Sequence, residues 1–274
     1  MSSEEESLIG PKLPLSTTLA TCYAPDHPFQ SNITKLNKIY TSIRRIRGDG
    51  SCFYRGFLFR LLEVLLDDVE VYDNNYDRIQ IFLSSSLQNL GEMGYDVMAL
   101  ESFHEVLIDL YDSFYTLCKT TYKDKQPDPL VFAMTEGEDG EAACNYSTWY
   151  LRMIVSSHLK SHAKRFVNFL PSSKIEGNDL SVDGAELSLI SIFCKTEVEP
   201  SRVECDMIQV IALAEACGVV VNVVYLDGND SSLGGGGEGV TTHNFGEVDS
   251  GGGGGKKVEI DLIYTPGHYD ILYR

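Results

Sequence analysis

Order along the chain limits the fold more than any single motif does. Apolar residues recur at spacings of three and four through most of the sequence, and β-branched and aromatic runs are gathered at its C-terminal end. The spacing predicts helices over 33–40, 52–66, 76–90, 103–121, 147–170, 187–193 and 207–217. Strands are predicted in VVVNVVYL (219–226), KVEIDLIY (257–264) and HYDILYR (268–274). Helices first and strands last make the expected fold class α+β, a helical body packed on a small C-terminal β-sheet. A chain of 274 residues can bury roughly three quarters of the surface that its unfolded form exposes, so one domain over 31–274 needs no staples.

Two stretches fall outside this pattern. Residues 1–30 are rich in Pro, Ser, Thr and Glu without a clear period and are expected to form a loosely ordered N-terminal arm. Glycine runs at 234–239 and 251–255 flank residues 240–250 and read as flexible loop insertions between strands. Neither run is followed by G-K-[ST] or by a helix start, which argues against a phosphate cradle.

The net charge of −18 would repel a phosphate backbone and argues against nucleic-acid binding, whereas a basic protein partner suits it. A well-solvated surface accounts for the same excess. The longest apolar runs, such as 219–226, are too short to span a bilayer. The start MSSEEESLIG has neither the basic and apolar regions of a secretory signal nor the Arg-rich character of a transit peptide, so cytosol or nucleus is the expected location. The cysteines (Cys22, Cys52, Cys118, Cys144, Cys194, Cys205 and Cys217) are odd in number, scattered, and without a C-x-x-C pair. Free thiols are therefore expected, with neither a disulfide framework nor a zinc knuckle.

One cysteine stands apart. In IRGDGSCFYRGFLFRLLEVLL the turn formers Gly48, Asp49, Gly50 and Ser51 precede an amphipathic run that begins at Cys52, which places the thiol in the first turn of a helix. The positive end of the helix dipole favours a thiolate by at most about 2 kcal/mol, so a second activator is required, and a protonated histidine is the usual one. His158 and His162 share a helix face in SHLKSH but lack the Glu of H-E-x-x-H, and a solvated face is expected there. His27 in the arm, His243 between the glycine runs, and His104 beside Glu101 and Glu105 suit surface roles. His268 differs. It follows the turn pair Pro266-Gly267 and opens a strand in which Asp270 and Leu272 share its face while Tyr269, Ile271 and Tyr273 take the other. An H-x-D pair in a strand puts a carboxylate on the imidazole's own side, able to fix its tautomer and support its charge.

Three segments, 43–63, EVEPSRVECDMIQVIALAEACGVVVNVVYLD (197–227) and YTPGHYDILYR (264–274), together resemble the otubains, cysteine deubiquitinases of the ovarian-tumour (OTU) class. The family's D-G-N-C-F-Y-R motif stands here as Asp49-Gly50-Ser51-Cys52-Phe53-Tyr54-Arg55, and its P-G-H-Y-D motif as Pro266-Gly267-His268-Tyr269-Asp270, at opposite ends of the domain and in the family's order. The resemblance implies a papain-like architecture, with Cys52 as nucleophile and His268 as general base. It also implies hydrolysis of the isopeptide bond between the ubiquitin C-terminus and a lysine, without metal or cofactor, and with lysine-forty-eight-linked chains as the expected substrate. Ubiquitin and polyubiquitin are the implied partners, with ubiquitin-conjugating enzymes as further candidates.

Backbone N–H groups of the 49–52 turn, which includes Gly50 and Ser51, would hold the oxyanion. Ser51 stands where the family usually has Asn. Both Asp49 and Asp270 match family positions, but strand geometry alone gives Asp270 reach to His268, whereas Asp49 suits a turn whose side chain bonds nearby N–H groups. Two rival readings are a non-catalytic regulator that binds ubiquitin or a conjugating enzyme, and a papain-like peptidase of general specificity. The joint presence of Cys52, His268 and Asp270 speaks against the first, and the expected lack of a signal or pro-segment against the second.

Overall fold

Strand β1 (Ile9–Pro14) leads directly into helix α1 (Leu15–Cys22), and α2 (Phe29–Leu36) returns the chain to β2 (Ser42–Ile46). The helical body follows as α3 (Cys52–Asp67), α4 (Val69–Glu92), α5 (Val97–Thr116), α6 (Pro129–Thr135), α7 (Gly140–Ser161), the short α8 (Ala163–Phe166) and α9 (Ser172–Ile175), α10 (Ala185–Phe193) and α11 (Met207–Cys217). Strands β3 (Val220–Tyr225), β4 (Thr242–Phe245), β5 (Glu259–Thr265) and β6 (His268–Tyr273) come last. The computed structural model describes residues 7–24, 26–27, 29–116, 128–135, 139–175, 182–226, 241–246 and 255–274.

Local chemistry sets the boundaries. Helix α3 is apolar on nearly every side and is buried along almost its whole length. Asp68 ends it and caps α4, its carboxylate accepting the N–H groups of Glu70 and Val71. Helix α11 starts on a capping box between Asp206 and Gln209 and stops at Gly218, where a φ of 61° makes a left-handed C-cap. Among the described residues no helix is long and apolar enough to cross a membrane.

The strands form one sheet in the order β1-β2-β6-β5-β3-β4, antiparallel except for the β3–β5 pair. Both faces are covered. Tyr269, Ile271 and Tyr273 of β6 join the large core with α3 and the other long helices. Leu272 packs with Ile43, Val224 and Ile263 under Leu15 and Leu19 of α1 and Ile33 and Leu36 of α2. Successive side chains of one strand thus serve opposite cores, as the period of two requires. The fold class is α+β.

Three expectations change. The arm over 1–30 is ordered from its described start: β1 pairs with β2, and Leu15 and Leu19 are fully buried. The few apolar anchors here are too sparse to show a period, yet they cover the sheet face that the helical body leaves open. Strand β2 escaped notice because two arginines interrupt SIRRI. Arg44 is nonetheless buried, donating to the Gly10 carbonyl at 2.8 Å, Tyr273 Oη at 3.0 Å and Asp128 Oδ2 at 2.7 Å. Strand β4 occupies part of the presumed insertion, pairing with β3 and carrying His243. The runs 234–239 and 251–254 lie outside the described residues.

Candidate active site

The loop between β2 and α3 makes a tight turn that delivers Cys52 to the first position of α3, where its side chain is buried. Gly50 carries the turn at φ 79°, in the left-handed region open to glycine. A Cβ at this position would fall 2.4 Å from the carbonyl of Arg202, so no larger residue fits. Asp49 braces the turn from inside. Its Oδ1 accepts the backbone N–H of Ser51 at 3.0 Å, and both its oxygens receive the guanidinium of Arg55, at 3.0 and 2.8 Å. Arg47 Nε adds a fourth contact at 3.3 Å. Burial alone would raise the Asp49 carboxyl, but these hydrogen bonds and the charge of Arg55 hold it below the usual carboxylate range.

His268 opens β6 directly after Gly267, itself at φ 78°. Its Nε2 lies 2.9 Å from Asp270 Oδ1, with the Asp270 side chain 2% exposed. The same oxygen accepts the backbone N–H of Ile46 at 2.8 Å, and Oδ2 pairs with Arg45 Nε at 3.2 Å. Asp270 thereby occupies Nε2 and leaves Nδ1 toward the turn, where a Cβ on Gly48 would be 3.5 Å away. The thiol of Cys52 is close enough to act on the ring and favours its charged form. Burial, the largest influence, disfavours the imidazolium, but the bonds and charges of Asp270 and Cys52 together push His268 up to about 10. The fold therefore gathers Cys52 and Asp270 around His268, while Asp49 bonds Ser51 and Arg55 within the turn.

Sequence reasoning missed Arg55 as the partner of Asp49, Arg45 as the partner of Asp270, and Arg152 of α7. Arg152 donates to the Gly50 carbonyl at 2.7 Å. A lone arginine inside the apolar run TWYLRMIV was the available signal. A cavity of about 320 Å³ opens alongside, lined by Phe169, Phe193, Val203, Glu204, Asp206 and Tyr264 among others. It adjoins the site through Glu204, whose carboxylate would lie 3.1 Å from a Cβ on Gly267.

Of the other described cysteines, Cys205 lies near Cys52 and Cys144 near Arg55 and Asp49, and burial raises both thiols. His158 is more enclosed than a solvated face implies: it approaches Glu215 Oε2 at 3.4 Å and stacks near His162, and burial followed by the His162 charge lowers it. His104 bonds the Leu83 carbonyl at 3.1 Å, a link between helices rather than a surface role. Burial pushes Cys144 and Cys194 up to about 11 and Cys217 up to about 12, which leaves those thiols unreactive. Cys22 is exposed, and Cys118 lies outside the described residues.

Known proteins resemble this chain along its length. The family Peptidase C65 Otubain matches residues 1–274. The chain is 31% identical over 272 residues to Ubiquitin thioesterase OTUB1 of Homo sapiens, covering 98% of this chain and 84% of that protein. It is 31% identical over 270 residues to OVARIAN TUMOR DOMAIN-containing deubiquitinating enzyme 1 of Arabidopsis thaliana, covering 97% and 80%. The solved structure of a ceOTUB1 ubiquitin aldehyde UBC13~Ub complex superposes with a TM-score of 0.72 at 26% identity, covering 98% of this chain and 94% of that chain. The architecture is thus the papain-like one of the OTU class, and the chain belongs to the otubain family of cysteine peptidases.

Proposed function

We propose that this chain is a deubiquitinase that cleaves the isopeptide bond between the ubiquitin C-terminus and a lysine. The observation that carries the reading is the placing of His268 between Cys52 and Asp270, with its Nε2 held 2.9 Å from Asp270 Oδ1 and its Nδ1 turned toward the turn that leads into Cys52. Cys52 loses its proton to His268 and attacks the carbonyl carbon, and His268 then gives that proton to the departing lysine amine. A thioester to Cys52 results. Water deprotonated by His268 attacks it, releasing the ubiquitin carboxylate and restoring the thiol. Asp270 keeps the imidazole oriented and supports its charge.

The oxyanion receives backbone N–H groups of the 49–52 turn. Those of Asp49 and Ser51 are already bonded, to the Arg47 carbonyl at 3.1 Å and to Asp49 Oδ1 at 3.0 Å, which leaves Gly50 and Cys52 as the donors. Asp49 acts through the turn's shape. The cavity next to Gly267 takes the ubiquitin side of the bond, with the exposed ring of Phe169 in its lining. Lysine-forty-eight-linked chains are the proposed substrate, ubiquitin-conjugating enzymes are further partners, and cytosol or nucleus is the place of action. These rest on the family resemblance and on the composition.

The test uses ubiquitin bearing a C-terminal electrophile, mixed with wild type and with Cys52→Ala. Covalent capture by wild type alone is expected. Tight binding without capture would favour a regulator, and neither binding nor capture would favour a peptidase of general specificity.

A further inference from the structure

Arg152 lies in the middle of α7 and is 1% exposed, yet among the described residues it has no carboxylate partner. Its guanidinium donates to three backbone carbonyls instead. Nη1 reaches Val198 at 3.1 Å, and Nη2 reaches Gly50 at 2.7 Å and Val203 at 2.9 Å, with Ser51 Oγ at 3.5 Å. The ring of Tyr54 covers its face, 4.4 Å from Cζ. Burying a cation without an anion is unfavourable, and an apolar side chain of similar volume would serve simple packing better. What such a residue lacks is the planar fork, which can hold several oxygens at fixed angles.

The carbonyls it holds belong to the two segments that meet over the turn. Gly50 sits at φ 79° against the carbonyl of Arg202, which is itself at φ 65°, a strained value for a residue with a side chain. Glycine has other backbone basins within reach, so nothing in Gly50 itself prevents its peptide with Ser51 from turning over. Such a flip would turn the Ser51 N–H away from Asp49 Oδ1 and release the brace that sets the neighbouring Gly50 and Cys52 N–H groups toward the oxyanion. A donor fixed on the Gly50 oxygen opposes the flip, and the bond to Val203 from the same nitrogen ties the turn to the segment it leans on.

We propose that Arg152 is a positioning residue for the reaction, holding the Gly50 carbonyl so that the turn's N–H groups keep the orientation that stabilises the oxyanion. Its hydrogen bonds include neither the thiol nor the imidazole. The proposal rests on the reading of Cys52 and His268 given above.

Two variants separate positioning from folding. Arg152→Lys keeps a cation in the space and loses the fork, and Arg152→Gln keeps a donor and loses the charge. Each is compared with wild type for kcat and KM on a ubiquitin amide with a fluorescent leaving group, and for alkylation of Cys52 at pH 7. Affinity for ubiquitin aldehyde is measured too, because the oxygen of its adduct with Cys52 needs the same N–H groups. The expected result is a fall in kcat of about 10²-fold with an equal loss of aldehyde affinity, while KM and alkylation stay within about threefold of wild type. Unchanged kcat, an alkylation rate that falls in step with kcat, or variants that melt below the assay temperature would overturn the proposal, because Arg152 would then be dispensable or purely structural. Inactivity of the wild type would overturn the underlying reading instead.

Discussion

The carboxylate of Asp270 stands 2.9 Å from His268 Nε2, two residues away on the same strand, and its Oδ1 also takes the backbone N–H of Ile46 at 2.8 Å. One oxygen thus orients the imidazole and ends the β2–β6 ladder. Asp270→Ala should lower kcat by about 10²-fold or more through loss of the imidazole's orientation. It should also destabilise the fold by about 1–3 kcal/mol, because the Ile46 N–H is left unpaired. Asp49→Ala should impair turnover while leaving the rate of Cys52 alkylation at pH 7 nearly unchanged. Alkylation rates of both variants check this, and a slower rate in Asp49→Ala alone would reverse the two roles.

The histidine also links stability to pH. Folding pushes His268 up to about 10 from its ordinary 6.5, so the native state holds this proton more tightly than the unfolded chain does. The resulting stabilisation is complete below pH 6.5 and is lost as pH rises toward about 10. Melting temperatures of wild type and His268→Ala, taken from pH 6 to 10, should therefore converge as pH increases. A gap that widens with pH would contradict the assignment.

Gly50→Ala tests the turn. The added methyl would meet the Arg202 carbonyl at 2.4 Å on a backbone of φ 79°. A loss of about 2 kcal/mol or more is expected from strain and displacement together, and kcat should fall further than stability explains. Denaturant unfolding with steady-state kinetics on the same preparation measures both.

Leu19→Ala tests the N-terminal segment. A free arm would tolerate the change, but Leu19 is fully buried in the smaller core with Ile33, Ile43 and Leu272. Truncation should cost about 2–5 kcal/mol, read as a shift in the urea midpoint. A variant with the wild-type midpoint would show that this core adds nothing to stability.

The parts of this protein written in the sequence are those with a local period or a short spacing. Helix α11 was expected over 207–217 and is found at Met207–Cys217, because its apolar spacing, capping residues and terminal glycine are all neighbours in the chain. Cys52 at the start of a helix and His268 two residues before Asp270 on a strand were legible for the same reason, since turn chemistry and strand alternation need no knowledge of the rest of the fold. Tertiary structure decided what depends on distant partners. Arg152 grips Gly50 across 102 residues of sequence, and Asp270 takes the Ile46 N–H across 224, contacts that no period announces. The burial of Leu8, Ile9, Leu15 and Leu19 was hidden likewise, because so few apolar side chains join a core only when the rest of the fold supplies the surface they cover. Which nitrogen of His268 faces the thiol followed only once Asp270 was fixed by Ile46 and Arg45, residues on a neighbouring strand whose pairing the sequence leaves open.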